Sequence, residues 1–188
     1  APALGASEAY AYQLHNLQDV AAREGFTKFT SMQCHYNLLY REDEREMIPV
    51  CRQFDMALMP YSPMASGHLC RLTWDTDSKR SETDSTMVNK YGGAREEDLP
   101  IIACAAEVAA RHEVPMARVA LGQGVESPIV GCSTPERVDD AVAALDVALT
   151  PEEIDYLEEP YRSHELVGPK PRPGEKPLAG TTKVNLTK

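Results

Sequence analysis

Short apolar runs alternate with amphipathic stretches along most of this chain. Tyr10, Leu14, Leu17 and Ala21 recur at spacings of four, three and four residues, which places them on one face of a helix. Gly25 follows at the position where such a helix is expected to end. The same reading predicts strands at 3–6, 29–33, 56–59 and 128–131, and further helices at 41–54, 100–112, 116–121, 134–145 and 150–159.

The order of these elements indicates the fold class. Strands followed by helices predict a parallel βα array, and therefore an α/β protein. No G-x-G-x-x-G sequence follows the first strand, which weakens a Rossmann-type dinucleotide-binding interpretation. Two architectures remain at this point: an open doubly wound sheet, or half of an eight-stranded barrel.

Two segments depart from the alternation. Residues 61–97 are rich in Ser, Thr, Asp, Gly and Arg, with Leu72, Trp74 and Val88 as isolated apolar anchors, and this predicts a long lid or binding loop. The last stretch is rich in proline and glycine, which predicts a surface wrap or a disordered tail. We therefore divide the chain into a domain at 1–167 and a tail at 168–188. Pro49 is expected to bend or break the helix predicted at 41–54.

Composition narrows the possible partners. The 188 residues are 43% apolar and 26% charged, which is ordinary globular usage, and the formal net charge is −10. Such an acidic chain repels nucleic acids and anionic membranes, and it contains no apolar run of the roughly 18 residues that span a bilayer. With no leader-like pattern either, we expect no nucleic acid partner, no membrane association and a cytoplasmic location.

The cysteines support the same location. They are five in number and widely scattered, which favours reduced thiols over a disulfide framework. Cys34 with His35, and His68 with Cys70, could each begin a metal site. Neither has a second pair at a suitable spacing, so no metal site is expected.

Four sequence segments point to a family. They read LGAS at 4–7, SMQCHYNLLYR at 31–41, MPYSPMASG at 59–67 and IVGCSTPER at 129–137. In this order and spacing they resemble the fifth to eighth strands of the aldo-keto reductases. The resemblance extends from Ala3 to Gly168. It implies a partial (β/α)8 TIM barrel made of strands 5–8 and their helices, which is the C-terminal half of that barrel.

The resemblance also implies an activity that this chain carries only in part. Aldo-keto reductases use NADPH to reduce a small-molecule aldehyde or ketone to an alcohol. Their proton-donating Tyr and its Asp, Lys and His helpers belong to strands two to four, and no residue here can be matched to them. We therefore assign no catalytic residue and expect the chain alone to be inactive.

By the same resemblance, one group of residues would bind the nicotinamide end of NADPH. Ser7 and Gln33 would hydrogen-bond the carboxamide, which needs one donor and one acceptor. Tyr61 would stack on the nicotinamide ring, with Ser62 beside it in the cofactor site. Taken alone, Gln33 could instead satisfy a loop backbone, and Tyr61 could fill the core.

A second group would bind the 2′-phosphate of NADPH. Arg137 would pair with it as a planar, bidentate donor. Ser133, Thr134 and the start of the helix at Pro135 would offer further hydrogen-bond donors. Taken alone, Ser133 and Thr134 could be an ordinary helix cap, and Arg137 a solvated charge.

Departures from the family pattern keep other interpretations open. Glu8 stands where the family often has Asn or Ser, and Cys34 where it usually has Asn. About five residues are missing near Gly122, which should shorten a helix and displace the last strand. The alternatives are a non-catalytic half-barrel that binds a nucleotide or a protein partner, and a truncated product with no role. A half-barrel would leave the strands at 3–6 and 128–131 as exposed edges, so we expect a homo-oligomer formed through them.

Overall fold

A computed structural model describes residues 3–74, 90–122, 127–165 and 167. The predicted tail at 168–188 lies outside the described residues, so the division between 167 and 168 stays a prediction. Residues 75–89 of the predicted loop, with its anchor Val88, and residues 123–126 of the shortened segment also lie outside them.

The centre of the molecule is a parallel sheet of three strands in the order β1–β2–β3. Ser7 pairs with Gln33 and Met32 pairs with Leu58, so the strands are in register at their carboxyl ends. This confirms an α/β fold with a parallel sheet. The strands are β1 (Leu4–Ser7), β2 (Phe29–Gln33) and β3 (Ala57–Leu58).

The fourth predicted strand, at 128–131, is much shorter than expected. Only Ile129 pairs with its neighbour, through one parallel bridge to Tyr61 and a hydrogen bond from its backbone N–H to the Pro60 carbonyl at 2.8 Å. Chain order and spatial order agree from β1 to Ile129. Among the described strands there is none of the order reversal that marks a doubly wound sheet.

The helices follow the sequence prediction closely where the chain gives clear end signals. The first ends at Gly25, which adopts a left-handed φ of 71° that glycine accommodates without strain. The last begins with a capping box formed by Thr150 and Glu153. The helices are α1 (Ala11–Glu24), α2 (Met47–Gln53), α3 (Arg95–Arg111), α4 (Met116–Leu121), α5 (Pro135–Ala143) and α6 (Pro151–Glu158).

Three helix boundaries were predicted wrongly. The helix expected at 41–54 is a 3₁₀ turn at Glu42–Glu44 followed by α2, which places Pro49 in the first helical turn, where its missing N–H costs no hydrogen bond. Helix α3 begins at Arg95 and contains Pro100 instead of starting there. Helix α5 ends at Ala143 and passes into a 3₁₀ turn.

The loop predicted at 61–97 is partly ordered into turns. Residues Ala65–Cys70 form 3₁₀ turns with a kink at Ser66 and Gly67, and Gly92–Ala94 form another turn before α3. Trp74 packs against the core as expected. The prediction that Leu72 is an apolar anchor is wrong, because this residue is 65% exposed.

Two apolar clusters hold these elements together. One lies between the sheet and helices α1 and α2, and its members include Leu14, Met32 and Met47. Within it the buried Gln18 side chain accepts from the Phe29 N–H at 2.9 Å and donates to the Phe29 carbonyl at 2.8 Å, which ties α1 to the start of β2. The second cluster joins α3, α4 and α6 to the turn at Ala65–Cys70.

The last described residues return to the connection between β2 and α2. The Tyr161 hydroxyl accepts from the Arg41 N–H at 2.9 Å and donates to Glu42 at 2.9 Å. The Val167 N–H donates to the Tyr40 hydroxyl at 3.4 Å. The chain therefore packs against its own core up to the predicted domain boundary.

Three further features concern the cysteines, the helices and the metal-ligating side chains. All five cysteines are free, and burial raises the pKa of the Cys51 thiol to about 11. None of the described helices has both the length and the apolar character needed to cross a bilayer. Over the same residues, no three metal-ligating side chains come together.

Candidate functional site

Ser7 and Gln33 meet at the carboxyl edge of the sheet. They are the last residues of β1 and β2 and lie opposite each other in the strand register. The Ser7 hydroxyl donates to Gln33 Oε1 at 3.2 Å. This pair presents a hydroxyl and a primary amide side by side, which together offer donors and acceptors to a ligand amide.

Tyr61 lies one step further along the same edge. Its backbone bridges His35 on one side and Ile129 on the other. Its ring stacks on the His35 ring, with centroids 5.1 Å apart and planes at 15°. Lys90 donates to the Tyr61 hydroxyl at 3.2 Å, and its ammonium lies 4.4 Å from the ring centroid.

Ser62 is characterised by its backbone conformation and by its backbone carbonyl. It has a left-handed φ of 59°, which is strained for a residue with a Cβ. Its carbonyl accepts from Asn37 Nδ2 at 2.9 Å. Asn37 also donates to the Tyr91 hydroxyl at 3.0 Å, and that hydroxyl lies 2.8 Å from His35 Nε2. This buried network fixes the turn that follows β3.

Glu8 is a candidate site residue that the sequence marked only as a departure. It follows Ser7 with a left-handed φ of 50°, and its N–H donates to the Gln33 carbonyl at 3.3 Å. Both carboxylate oxygens are inaccessible to solvent. Burial, and after it the charge of Glu8, raise the pKa of Tyr61, and Lys90 donates to the Tyr61 hydroxyl, so both charged residues act on that tyrosine.

The tyrosines at this edge are poorly suited to donate a proton at neutral pH. Burial, followed by the charge of Glu8, raises the pKa of Tyr61 well above its usual range. Burial also raises the pKa of Tyr40, and it raises that of Tyr91 to about 12. Because an efficient general acid has a pKa near the working pH, none of these three is tuned for that role.

The predicted phosphate-binding residues lie together on the exposed start of α5. Arg137 Nη1 donates to the Ser133 hydroxyl at 3.1 Å. Thr134 is the N-cap residue, but its side chain makes no capping bond to the helix backbone. It hydrogen-bonds the Glu136 carboxylate, whose pKa is lowered first by its own backbone N–H and then by Thr134. The Glu136 carboxylate therefore already interacts with hydrogen-bond donors at the N-terminus of α5.

Comparison with known proteins identifies the family. The model of the aldo/keto reductase family matches residues 2–162. This chain belongs to the aldo/keto reductase family.

Its relatives within the aldo/keto reductases include fungal proteins of similar sequence. The chain is 44% identical over 164 residues to versiconal hemiacetal acetate reductase of Aspergillus parasiticus. This alignment covers 84% of this chain and 48% of that protein. It is 43% identical over 164 residues to a putative aryl-alcohol dehydrogenase of Saccharomyces cerevisiae, covering 85% of this chain and 47% of the relative. The chain spans about half the length of these curated relatives.

Arg71 is a second residue of this aldo/keto reductase chain that the sequence prediction missed. Burial raises the pKa of the Cys70 thiol, and the positive charges of Arg71 and Arg137 both oppose that rise. Both guanidinium groups therefore lie within electrostatic reach of one sulfur atom. The position of Arg71 shortly after the MPYSPMASG segment is the only sequence signal that could have pointed to it.

The structure thus groups the predicted site residues into two places. Ser7, Gln33 and Tyr61 lie along the carboxyl edge of the sheet, with the Ser62 backbone beside them. The remaining three predicted residues cluster at the start of α5: Ser133, Thr134 and Arg137. Their role in cofactor binding stays a prediction.

Proposed function

We propose that this chain is the dinucleotide-binding half of an aldo/keto reductase barrel, corresponding to strands 5–8, and that it binds NADPH. The family match and the parallel sheet with strands in chain order support the barrel half. Barrel enzymes build their sites at the carboxyl ends of the strands. That edge is where Ser7, Gln33 and Tyr61 lie.

The observation that carries the proposal is the Ser7–Gln33 pair beside Tyr61. A hydroxyl, a primary amide and an aromatic ring on three neighbouring strand ends fit a planar ring that bears a carboxamide. At the other end, the Arg137 guanidinium and the Ser133 hydroxyl fit a phosphate dianion. The donor set therefore matches the two ends of NADPH.

The residues of this chain would bind and orient the cofactor. When bound, NADPH supplies the hydride that reduces an aldehyde or a ketone to an alcohol. Ser7 and Gln33 would fix the orientation of the carboxamide, and Tyr61 would limit which face of the ring is open. Orientation of this kind removes an entropic part of the barrier.

Binding of NADPH to the chain, measured by calorimetry or by cofactor fluorescence, tests this proposal. Replacing Gln33 by leucine removes hydrogen bonds of about 1 kcal/mol each and should weaken binding several-fold. Gln53→Leu is the matched control, because Gln53 is exposed at the end of α2. A protein that shows no affinity for NADPH, or loses affinity equally in both variants, would contradict the proposal.

We also propose that the chain alone does not reduce carbonyl compounds. It offers no residue for the proton donor of the family, and acid–base assistance typically contributes about 10²–10⁴-fold to such a reaction. NADPH oxidation in the presence of 4-nitrobenzaldehyde should stay at the background rate. A rate that increases in proportion to protein concentration would show this expectation to be wrong.

A second copy of this chain is the partner we propose for the exposed sheet edges. Leu4 on β1 and Ile129 beside β3 are partly exposed apolar residues at opposite ends of the sheet. Unpaired strand edges recruit further strands, and two-fold dimers are the commonest closed assemblies. Light scattering at tens of micromolar should give a mass above 20.7 kDa, whereas a compact monomer with a cooperative melt would argue against this assembly.

Two other expectations stay open. A cytoplasmic location remains a prediction from the sequence. The family match and the reductase and dehydrogenase relatives do not favour a non-catalytic partner-binding module.

A further inference from the structure

The side chain of Glu8 places a negative charge inside the proposed nicotinamide subsite. Glu8 directly follows Ser7, and its carboxylate oxygens are shielded from water. After burial, its charge is the next cause of the raised pKa of Tyr61, the residue whose ring would face the nicotinamide, so the carboxylate lies within electrostatic reach of that residue. A carboxylate shielded in this way interacts more strongly with nearby charges than one on the surface, because water screens it less.

The backbone holds Glu8 in this position. Its left-handed φ of 50° is uncommon for a residue with a Cβ, and its N–H is hydrogen-bonded to the Gln33 carbonyl. The conformation turns the chain at the end of β1, immediately after the Ser7 hydroxyl that contacts Gln33. The carboxylate is therefore tied to the same strand ends as the proposed carboxamide ligands.

The two redox forms of the cofactor differ in charge at this place. The nicotinamide ring is a cation in NADP⁺ and neutral in NADPH, while both forms carry the same phosphates. Comparing their affinities therefore cancels the repulsion between Glu8 and the phosphates and isolates its effect on the ring. A buried carboxylate near the ring favours the cationic form.

We propose that Glu8 is a specificity-determining residue that shifts the nicotinamide subsite toward NADP⁺ relative to NADPH. This inference rests on the proposed function, because it requires the dinucleotide to bind along this edge of the sheet. Tighter binding of NADP⁺ than of NADPH would shift the equilibrium between the two bound cofactors toward NADP⁺, and would therefore favour carbonyl reduction in the complete reductase. The reaction itself is unchanged: hydride leaves the ring for the carbonyl carbon, and the carbonyl oxygen takes up a proton from an acid or from solvent.

Lys90 is the charge that opposes Glu8. It donates to the Tyr61 hydroxyl and lies 4.4 Å from the ring centroid, so it would disfavour a cationic nicotinamide at the same place. Both residues are half-buried, and both Glu8 carboxylate oxygens are inaccessible to solvent. We expect the effect of Glu8 to be the larger of the two.

Dissociation constants for NADP⁺ and NADPH, measured by calorimetry on the full chain, test the inference. The affinity ratio of NADP⁺ to NADPH should fall about tenfold in Glu8→Gln, which corresponds to about 1.4 kcal/mol. It should rise by a smaller factor in Lys90→Gln. Glu24→Gln is the matched control, because Glu24 is exposed at the end of α1, at the opposite edge of the sheet.

Further variants separate the possible failures. Glu8→Asp keeps the charge and should retain most of the ratio, and it replaces Glu8→Gln as the probe of charge if the latter does not fold. A fragment with the adenosine 2′-phosphate but no nicotinamide should bind the parent and Glu8→Gln equally. If both redox forms bind and the ratio is the same in the parent, Glu8→Gln and Glu8→Asp, the role of Glu8 is overturned while the cofactor site stands. If neither form binds the parent, the proposed function fails and the inference with it.

Discussion

The two ends of the proposed cofactor site are built very differently. At the nicotinamide end, Ser7 and Gln33 are the last residues of strands that pair over several positions. Glu8 directly follows β1, and Tyr61, shortly after β3, is bridged to His35 and Ile129. At the phosphate end, Ser133 and Arg137 lie on a segment that, among the described residues, pairs with the sheet only through the bridge at Ile129.

The helices behind the two ends differ in the same way. Helix α1 buries Leu14 and Gln18 against the sheet. Helix α5 buries none of its residues, and its Val142 is 58% exposed. A site is held precisely only when the elements beneath it are locked by packing. The proposed nicotinamide end is therefore preorganised. The position of the proposed phosphate end depends instead on further contacts made by α5.

Core truncation should show this contrast most strongly. Leu14→Ala removes a fully buried side chain between α1 and the sheet and should lower the free energy of unfolding by about 2–5 kcal/mol. Val142→Ala in α5 should change it by less than about 0.5 kcal/mol, since surface positions contribute little. Urea unfolding followed by circular dichroism measures both. A cost for Val142→Ala close to that of Leu14→Ala would mean that α5 is packed in solution, as in an assembled dimer.

The sequence predicted the elements whose ends carry a local chemical signal. Helix α1 has regular apolar spacing and Gly25 at its end, and α6 has its capping box, so both were placed correctly. The turn at Ala65–Cys70 has neither signal. Its backbone has a positive φ at Ala65 and at Ser66, and such a conformation must be stabilised by packing against distant parts of the chain.

The candidate site divides along the same line. Ser7 and Gln33 were predicted to act together, and the strand register does bring them into contact. The electrostatic effects of Glu8 on Tyr61 and of Arg137 on Cys70 act between segments distant in the chain. Neither has a spacing or periodicity in the sequence, so only the folded arrangement reveals them.

Cofactor preference should test the phosphate end. If the start of α5 binds the 2′-phosphate, NADPH should bind more tightly than NADH, and Arg137→Ala should abolish the difference by removing a charged hydrogen bond of about 1.5–3 kcal/mol. Calorimetric titration with both cofactors measures the preference. Arg23→Ala is the control, because Arg23 is exposed at the far end of α1. Equal affinity for NADPH and NADH in the unmutated chain would contradict the assignment of Arg137.

Two threonines at helix starts provide the finest test of the contrast. Thr150 caps α6: its hydroxyl accepts from the Glu153 N–H at 3.2 Å, and the Glu153 carboxylate accepts from the Thr150 N–H at 3.0 Å. Thr134 begins α5 without a side-chain capping bond and contacts Glu136 instead. Thr150→Ala should therefore lower the free energy of unfolding by about 1 kcal/mol, and Thr134→Ala by less than about 0.5 kcal/mol. Urea denaturation with unchanged m-values measures both, and a cost for Thr134→Ala equal to that of Thr150→Ala would show that α5 is capped in solution by a bond to Thr134. In that case the Thr134 hydroxyl would already be engaged by the helix backbone, and phosphate binding at this end would rest on Ser133 and Arg137 alone.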